Sequence, residues 1–464
     1  MIASVLGIAC GGAANATVPA DPLKLTLPAA LGLALSENRD LLVSKMSVEG
    51  DRFLIDAAEA EFSPKLTPSL SAGNVGTHAS FFTDASSTVS YGIQLSKKFD
   101  FGTTVSAGPS YTRSPLLTDT RMSLTLSQPL LRGVGREANL SALRRAEYSV
   151  YSSEQSLSQS KLDIGLETIT TYYQALKQRQ TAENNHALVD KLKQHLVLAG
   201  KKEKAGLATP MDTYRAVIRL KDAEDALALA DSTYVVLIDQ LRLLLNLPAE
   251  RLIELAPAGV PELEPVRAEQ ELLRDNVELR QRRAEVDEAN RAARVADNAA
   301  LPDVRLELGY NSALAGFTTV LPPQQWSISL QSTTDLFRSA ERSNAERARV
   351  LAATQEVSVR HRMDDLRRRV RQQLSDVTAA KARITVRQEQ IQEAKGKLAL
   401  AEVKFSNDMA DNFDIIESET ELQRAELGLL DSQTAYALGV YGLRALTGHL
   451  AKEKEFGPGK IEGP

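Results

Sequence analysis

The chain carries the same succession of marks twice, and any fold for it must house both copies. Leu25-Thr26-Leu27-Pro28 opens a helical stretch that contains Asn38-Arg39-Asp40-Leu41 and stops at Pro64. In the second half Asn276-Val277-Glu278-Leu279 is followed by Pro302. The asparagine-to-proline interval is 26 residues in both halves, at an offset of 238. Beyond the proline, Leu66, Pro68, Leu70 and Ala72 fall on Val304, Leu306, Leu308 and Tyr310. Leu130-Leu131-Arg132 then matches Leu336-Phe337-Arg338 at offset 206. Finally, Gly206-Leu207-Ala208-Thr209-Pro210-Met211-Asp212 matches Asp408-Met409-Ala410-Asp411-Asn412-Phe413-Asp414 at offset 202. Each half therefore reads helix, strands, long helix, helix.

The first half carries 32 residues more than the second among its strands, the difference between offsets 238 and 206. They show as further alternating segments. Val89, Tyr91, Ile93 and Leu95 alternate with Ser90, Gly92, Gln94 and Ser96, and Met122, Leu124 and Leu126 alternate with Ser123, Thr125 and Ser127. Trp326, Ile328 and Leu330 repeat the pattern in the second half. A strand with one apolar face and one small polar face suits a barrel with lipid outside and water inside, or an ordinary soluble sheet. Tyr91, Tyr111, Tyr310 and Trp326, near strand ends, lean toward membrane interfaces.

The helices carry heptads. Ala216, Leu220, Ala223, Leu227, Ala230, Tyr234, Leu237, Leu241 and Leu244 follow a 4-3 spacing throughout. Val359, Met363, Leu366, Val370, Val377, Ala380, Ile384, Ile391, Ala394 and Leu398 lie on one frame, with Gln373 and Arg387 at two of its positions. Leu162, Leu166, Ile169, Tyr173 and Leu176 continue the 4-3 rule in the first half. A sustained seven-residue repeat imposes coiled-coil packing. The long helix expected near 139–205 matches in length the two short ones near 28–62 and 211–246 laid end to end. Each rod is then about 100 Å long, as in a cylinder wall where one long helix lies beside two stacked short ones.

Composition narrows the function. Aromatic residues are only 5% while hydrophobic residues are 43%, which favours long packed helices over globular cores. A net charge of −5 offers no basic surface for nucleic acid. The arginine-rich run Arg360–Arg371, interleaved with Asp364 and Asp365, reads as a solvated coiled-coil face. The single cysteine, Cys10, excludes an internal disulfide, and the five histidines are scattered. No nucleotide loop, catalytic triad or metal cluster is visible, so neither an enzyme nor a cofactor is expected.

At the start, Met1 to Ala9 is apolar and Ala14-Asn15-Ala16 is a signal-peptidase pattern, so 1–16 is expected to be a leader. No Lys or Arg precedes the apolar run, and the run is short. Lipidation of Cys10 is the alternative, although Gly7 stands where lipid-attachment sites usually have Leu. No stretch is apolar and long enough for a transmembrane helix, which leaves a protein soluble outside the cytoplasm or one that spans the outer membrane as strands.

In this order and given twice, the motifs resemble those of the TolC-like outer-membrane efflux proteins. The resemblance runs from Leu25 to about His449. It is carried by Leu25-Thr26-Leu27 with Ala30, Leu33 and Ala34; by Asn38 and Pro64; and by Gln128-Pro129-Leu130-Leu131-Arg132-Gly133. Tyr172-Tyr173, the Ala205–Thr209 turn with Asp212, and its echo ending in Asp414 complete it. It implies a mixed α and β membrane fold: a transmembrane β-barrel formed by a homotrimer, joined to a long α-helical coiled-coil periplasmic tunnel, with two structural repeats per chain. The implied function is the outer-membrane exit duct of a tripartite efflux or secretion system, working with a periplasmic adaptor and an inner-membrane transporter. A coiled-coil scaffold of the periplasm or cell surface is the alternative, and the strand blocks at equivalent points of both halves argue against it.

The expected layout is a signal peptide (1–16), a first repeat (17–247) with barrel strands at about 65–130, and a linker (248–265). A second repeat (266–449) with strands at about 303–333 and a flexible tail (450–464) follow. The resemblance puts adaptor docking at the tips Gly206, Leu207, Ala208, Thr209 and Asp408, Met409, Ala410, Asp411. It puts an acidic ring at the periplasmic end on Asp414 and Glu417, with Asp212 at the corresponding place in the first half. Helix capping is the competing reading of all three acids. Two features depart from the family. Ala410 stands where an arginine often holds the constriction, and the extra strand pair near 87–112 exceeds the four strands per protomer of a twelve-stranded barrel. That pair either extends the outer loops or enlarges the barrel.

Overall fold

The computed structural model describes residues 22–79, 82–113, 118–206, 209–262, 276–313, 324–407, 409, 412–448 and 450. The leader with Cys10 and nearly all of the C-terminal tail lie outside the described residues.

In chain order the elements are β1 (Leu23–Leu25), α1 (Leu27–Glu37), α2 (Arg39–Glu59), β2 (Lys65–Ala79), β3 (Phe82–Lys98), β4 (Thr104–Arg113) and β5 (Thr118–Pro129). Then come α3 (Arg136–Asn139), α4 (Ser141–Lys204), α5 (Pro210–Leu244), β6 (Ile253–Leu255) and α6 (Val277–Ala299). The chain ends with β7 (Val304–Ala313), β8 (Gln324–Ser332), α7 (Ser339–Ser406) and α8 (Asn412–Leu446). Contacts group them into two compact units. One comprises Met1–Val43, Ser158–Asn276 and Asp365–Pro464, the other Ser44–Leu157 and Val277–Asp364. Among the described residues no helix is long and apolar enough to cross a membrane.

The first helical stretch is broken where a single helix was expected. Asn38 takes an extended conformation between α1 and α2. Its side-chain oxygen accepts from the amides of Asp40 (2.9 Å) and Leu41 (3.2 Å), capping α2. Its side-chain nitrogen donates to the carbonyl of Leu244 at 3.0 Å. Asn276 donates likewise to the carbonyl of Leu446 at 2.9 Å. In each half this asparagine ties off the last helix, giving an orphan C-terminal carbonyl its partner.

In the first unit the heptad positions face inward. On α5, Ala216, Leu220, Ala223, Ala230, Leu241 and Leu244 are buried; on α7, Leu366, Val370, Val377, Ala380, Ile391 and Leu398 are. The two polar frame positions meet glycines of α8. Gln373 donates to the carbonyl of Gly439 (3.2 Å), and a Cβ on Gly428 would sit 3.1 Å from Arg387 Nε. Glycines open the helix surface for these long polar side chains. A parallel β1–β6 ribbon lies in the same unit, and Tyr172 of α4 is fully buried against it. The Tyr172 hydroxyl, 2.8 Å from the Leu25 carbonyl and 2.7 Å from that of Ala256, shares its one proton between them. Burial pushes its pKa up to about 12.

The second unit contains an antiparallel sheet of order β2-β3-β4-β5-β7-β8. Its lateral rows alternate cleanly. Lys65, Ser96, Ser106, Thr125, Gly309 and Ser327 form one row across all six strands. The next row, on the opposite face, is Leu66, Leu95, Ala107, Leu124, Tyr310 and Trp326. The row beyond returns to small and polar side chains with Thr67, Gln94, Ser123, Asn311 and Gln325. One face of the sheet is thus apolar and the other polar. The chain leaves the apolar face uncovered: Leu70 is 79% exposed, Trp326 75% and Leu330 66%.

Candidate functional site

The site is built where α5 and α8 begin, within the first unit. Two adjacent isoleucines of α8 point to opposite neighbours. Ile416 joins Leu188, Val189 and Leu192 of α4 and Ala216 and Leu220 of α5, while Ile415 packs with Leu398 and Ala401 of α7. Wedging both hydrophobic faces leaves the intervening strip outward, and there Asp414 and Glu417 are exposed. Residues three apart on a helix share a face, so the two carboxylates stand together. Glu421 continues the strip and binds Lys397 of α7 at 2.7 Å. The Lys397 pKa is raised, first by that hydrogen bond, with Glu417 and Asp414 adding to it. Asp414 also lies in the first turn of α8, where a negative charge is favourable.

Asp212 lies in the first turn of α5 and caps it. Its Oδ2 accepts from the Thr209 amide (3.0 Å) and from the Thr209 hydroxyl (2.8 Å). These bonds, the hydroxyl first, lower its pKa. Arg215, one turn on, is 4.0 Å from Asp212 and lies 5.4 Å from the Phe413 ring centre. The starts of α5 and α8 are therefore neighbours, and Asp212 stands beside the acidic strip with its carboxylate already engaged.

Of the expected tips, Gly206 closes α4 with φ of 73°, in the left-handed region that glycine enters freely. Its amide donates to the Glu203 carbonyl at 2.9 Å. Thr209 is the cap just described, and Met409, 70% exposed, donates its amide to the Lys404 carbonyl at 2.8 Å. Leu207, Ala208, Asp408, Ala410 and Asp411 lie outside the described residues.

One charged group escaped the reading of the sequence. Glu419, 7% exposed, lies one turn inside the acidic strip. Its Oε1 is 3.4 Å from Lys191 Nζ and its Oε2 3.2 Å from His195 Nε2, both on α4. Burial pushes the Glu419 pKa up, but His195 and Lys191 outweigh it and the net shift is downward. One turn on, Gln423 donates to Asn185 of α4 at 2.6 Å. Lys191 and His195 are four apart and share a face of α4, a signal visible in the sequence. The carboxylate they meet lies more than 220 residues away and was not. The arginine-rich run is ion-paired along the helices: Arg362 binds Glu278 at 2.6 Å, and Asp365 takes Arg368 at 2.7 Å and Arg369 at 2.8 Å.

A family model described as outer membrane efflux protein matches residues 269–449. No curated protein sequence matches significantly. Solved structures share the fold across almost the whole chain. The CmeC outer membrane channel of Campylobacter jejuni aligns with a TM-score of 0.73 at 13% identity, covering 94% of this chain and 90% of that one. The outer membrane protein VceC of Vibrio cholerae gives 0.69 at 16%, covering 91% and 96%. The open-state MtrE outer membrane channel of Neisseria gonorrhoeae gives 0.68 at 16%, covering 91% and 89%. At these identities the likeness is one of fold, and it extends over the half that the family model leaves out. The second half of the chain thus matches the outer membrane efflux protein family, and almost the whole chain shares the fold of solved outer membrane channels.

Proposed function

We propose that this protein is the outer-membrane exit duct of a tripartite efflux or secretion system. In this reading it is a homotrimer whose sheets close a lipid-embedded barrel and whose helices form a tunnel in the periplasm. The observation that carries it is the uncovered apolar face of the six-stranded sheet, with a small polar face behind it. A soluble protein would bury such a face, whereas lipid requires it. The sheet edges at β2 and β8 need partners, and closure between protomers removes both. The helices supply a second reason for the trimer. Opposite its buried seam, α5 exposes Leu229, Val236 and Leu243 at seven-residue spacing, a stripe for a neighbouring copy. The equivalent asparagine ties at Asn38 and Asn276 support two structural repeats.

Asp414 and Glu417 are proposed as the acidic ring at the periplasmic end. Threefold symmetry would bring six carboxylates toward the axis, attracting cations and resisting closure while charged. Asp212 flanks them from α5. The tips Gly206–Thr209 and Asp408–Asp411 are proposed to dock a periplasmic adaptor, which links the duct to an inner-membrane transporter. The test is single-channel conductance in a planar bilayer, comparing wild type with Asp414→Ala/Glu417→Ala. Conducting trimers whose cation selectivity falls in the variant are expected. Pores indifferent to the change would remove the ring, and a protein that neither conducts nor needs detergent would favour a scaffold.

A further inference from the structure

We infer that the β3–β4 hairpin belongs to the barrel wall, so that the closed trimer has eighteen strands and not twelve. This deepens the channel reading above and rests on it. A hairpin that merely extended the outer loops would leave the sheet below it four-stranded and would not share the membrane-facing alternation. Neither condition holds. β3 stands between β2 and β4, and β5 pairs with β4 before it pairs with β7, so the hairpin separates β2 from β5. Its side chains follow the alternation of the flanking strands. Leu95 and Ala107 lie in the apolar row between Leu66 and Leu124, while Ser96 and Ser106 lie in the polar row between Lys65 and Thr125. Tyr91 and Tyr111 stack on the apolar face with ring centres 4.5 Å apart.

The connection between β3 and β4 gives independent support, because it is fastened to the helical base of the sheet. Asp100 pairs with Arg136, Nε to Oδ2 2.6 Å, at the start of α3. The Phe101 carbonyl accepts from the Gly135 amide at 3.2 Å. Lys98 binds Glu61, next to the end of α2, at 2.6 Å. Gly102, with φ of 106°, is pressed against the chain after β5, where a Cβ would meet the Gly133 carbonyl at 2.6 Å. The turn is thus held at the level where β2 begins and β5 ends. Both strands start from that base, and β4, the shorter, has 10 residues, enough for a tilted strand to cross the apolar band. Close approach along the seam depends on Gly108, where a Cβ would fall 2.0 Å from the Ile93 carbonyl.

Six strands from each of three copies close at eighteen. Barrel diameter grows roughly in proportion to strand number. With strands about 4.8 Å apart and tilted by about 40°, the backbone diameter is about 36 Å, against about 24 Å for twelve. The duct would therefore be about twice as wide in cross-section at the membrane, leaving size selection to its helical end.

The test places single cysteines in a Cys10→Ser background, labels them with an environment-sensitive fluorophore, and reconstitutes the trimer in phosphatidylcholine vesicles containing acyl-chain nitroxide lipid. Leu124→Cys on β5 and Leu308→Cys on β7 report strands outside the hairpin, and Leu95→Cys and Ala107→Cys report the hairpin itself. Quenching at Leu95 and Ala107 within about twofold of that at Leu124 is expected, with Ser96→Cys and Ser106→Cys open to a water-soluble thiol reagent instead. Quenching at Leu124 and Leu308 but not at the hairpin sites would overturn the eighteen-stranded wall and leave the channel standing. Absence of quenching at all four sites in folded trimers would overturn the membrane reading beneath it. Cryo-electron microscopy of the unmodified trimer gives an independent count: eighteen strands support the inference and twelve refute it.

Discussion

Replacing Glu419 with alanine should loosen the packing of α8 on α4, by an amount the structure bounds. The carboxylate is nearly enclosed and faces two basic side chains of α4, His195 at 3.2 Å and Lys191 at 3.4 Å. Charged contacts of this kind contribute about 1.5–3 kcal/mol, and stripping one partner from a fully buried pair costs about 3–5 kcal/mol. Lys191 has a side chain 50% exposed and can recruit water, whereas that of His195 is only 16% exposed. The loss for Glu419→Ala is therefore about 2–3 kcal/mol, and less for Glu419→Gln, whose amide keeps a polar contact. In native-state hydrogen exchange that is roughly a 30- to 150-fold faster exchange of the α8 amides around Ile416–Gln423, with the sheet unaffected. The pH dependence has a definite sign. Since the folded pKa is lowered from the ordinary value of 4.5, the stabilisation is fully present above that value. It is lost as the pH falls through the folded pKa. The wild type should lose α8 protection in that acid window, and Glu419→Gln should lack the transition. Equal exchange in wild type and Glu419→Ala at neutral pH, together with identical acid profiles, would refute the argument.

Other perturbations follow from the same contacts. Asn38→Ala and Asn276→Ala should each cost about 1–2 kcal/mol by removing the asparagine that precedes a helix and bonds the terminal carbonyl of another. Thermal inactivation of the two variants should show closely matched losses. Gly439→Ala sets a Cβ 2.7 Å from Val377 Cγ2, while Gly396→Ala meets nothing within 4 Å. Overpacking of about 1–3 kcal/mol outweighs the gain of about 1 kcal/mol in helix propensity at the first, whereas the second keeps the gain. Their denaturation midpoints should shift in opposite directions. Tyr172→Phe leaves the Leu25 carbonyl its bond from the Ala256 amide at 2.9 Å but strips the Ala256 carbonyl of its tyrosine partner. A loss of about 1–2 kcal/mol is expected, read as faster exchange in the β1–β6 ribbon.

Much of this protein is written in local periodicities. Spacing of 4-3 identified the seams, and Val377, Ile391 and Leu398 are indeed buried, because a helix repeats its face over distances that sequence alone records. Alternation did the same for Leu66, Leu95, Leu124 and Trp326, whose shared face follows from the two-residue period of a strand. The internal offsets anticipated that Asn38 and Asn276 would be equivalent. Other features depended on where separate helices come to lie. The engagement of Asp212 was not among them, since the Thr209 it caps lies three residues before it. The break at Asn38 hid inside a continuous helical pattern, because the Leu244 carbonyl that holds its side chain lies 206 residues away. Nothing local marks Glu419, because the Lys191 and His195 it meets lie on α4, more than 220 residues away. The extra strands were countable in the sequence, but lateral pairing joined them into one sheet, and pairing depends on register between segments. Periodicity tells a chain which face each element buries; only tertiary packing decides which partner that face, or a lone charge upon it, will meet.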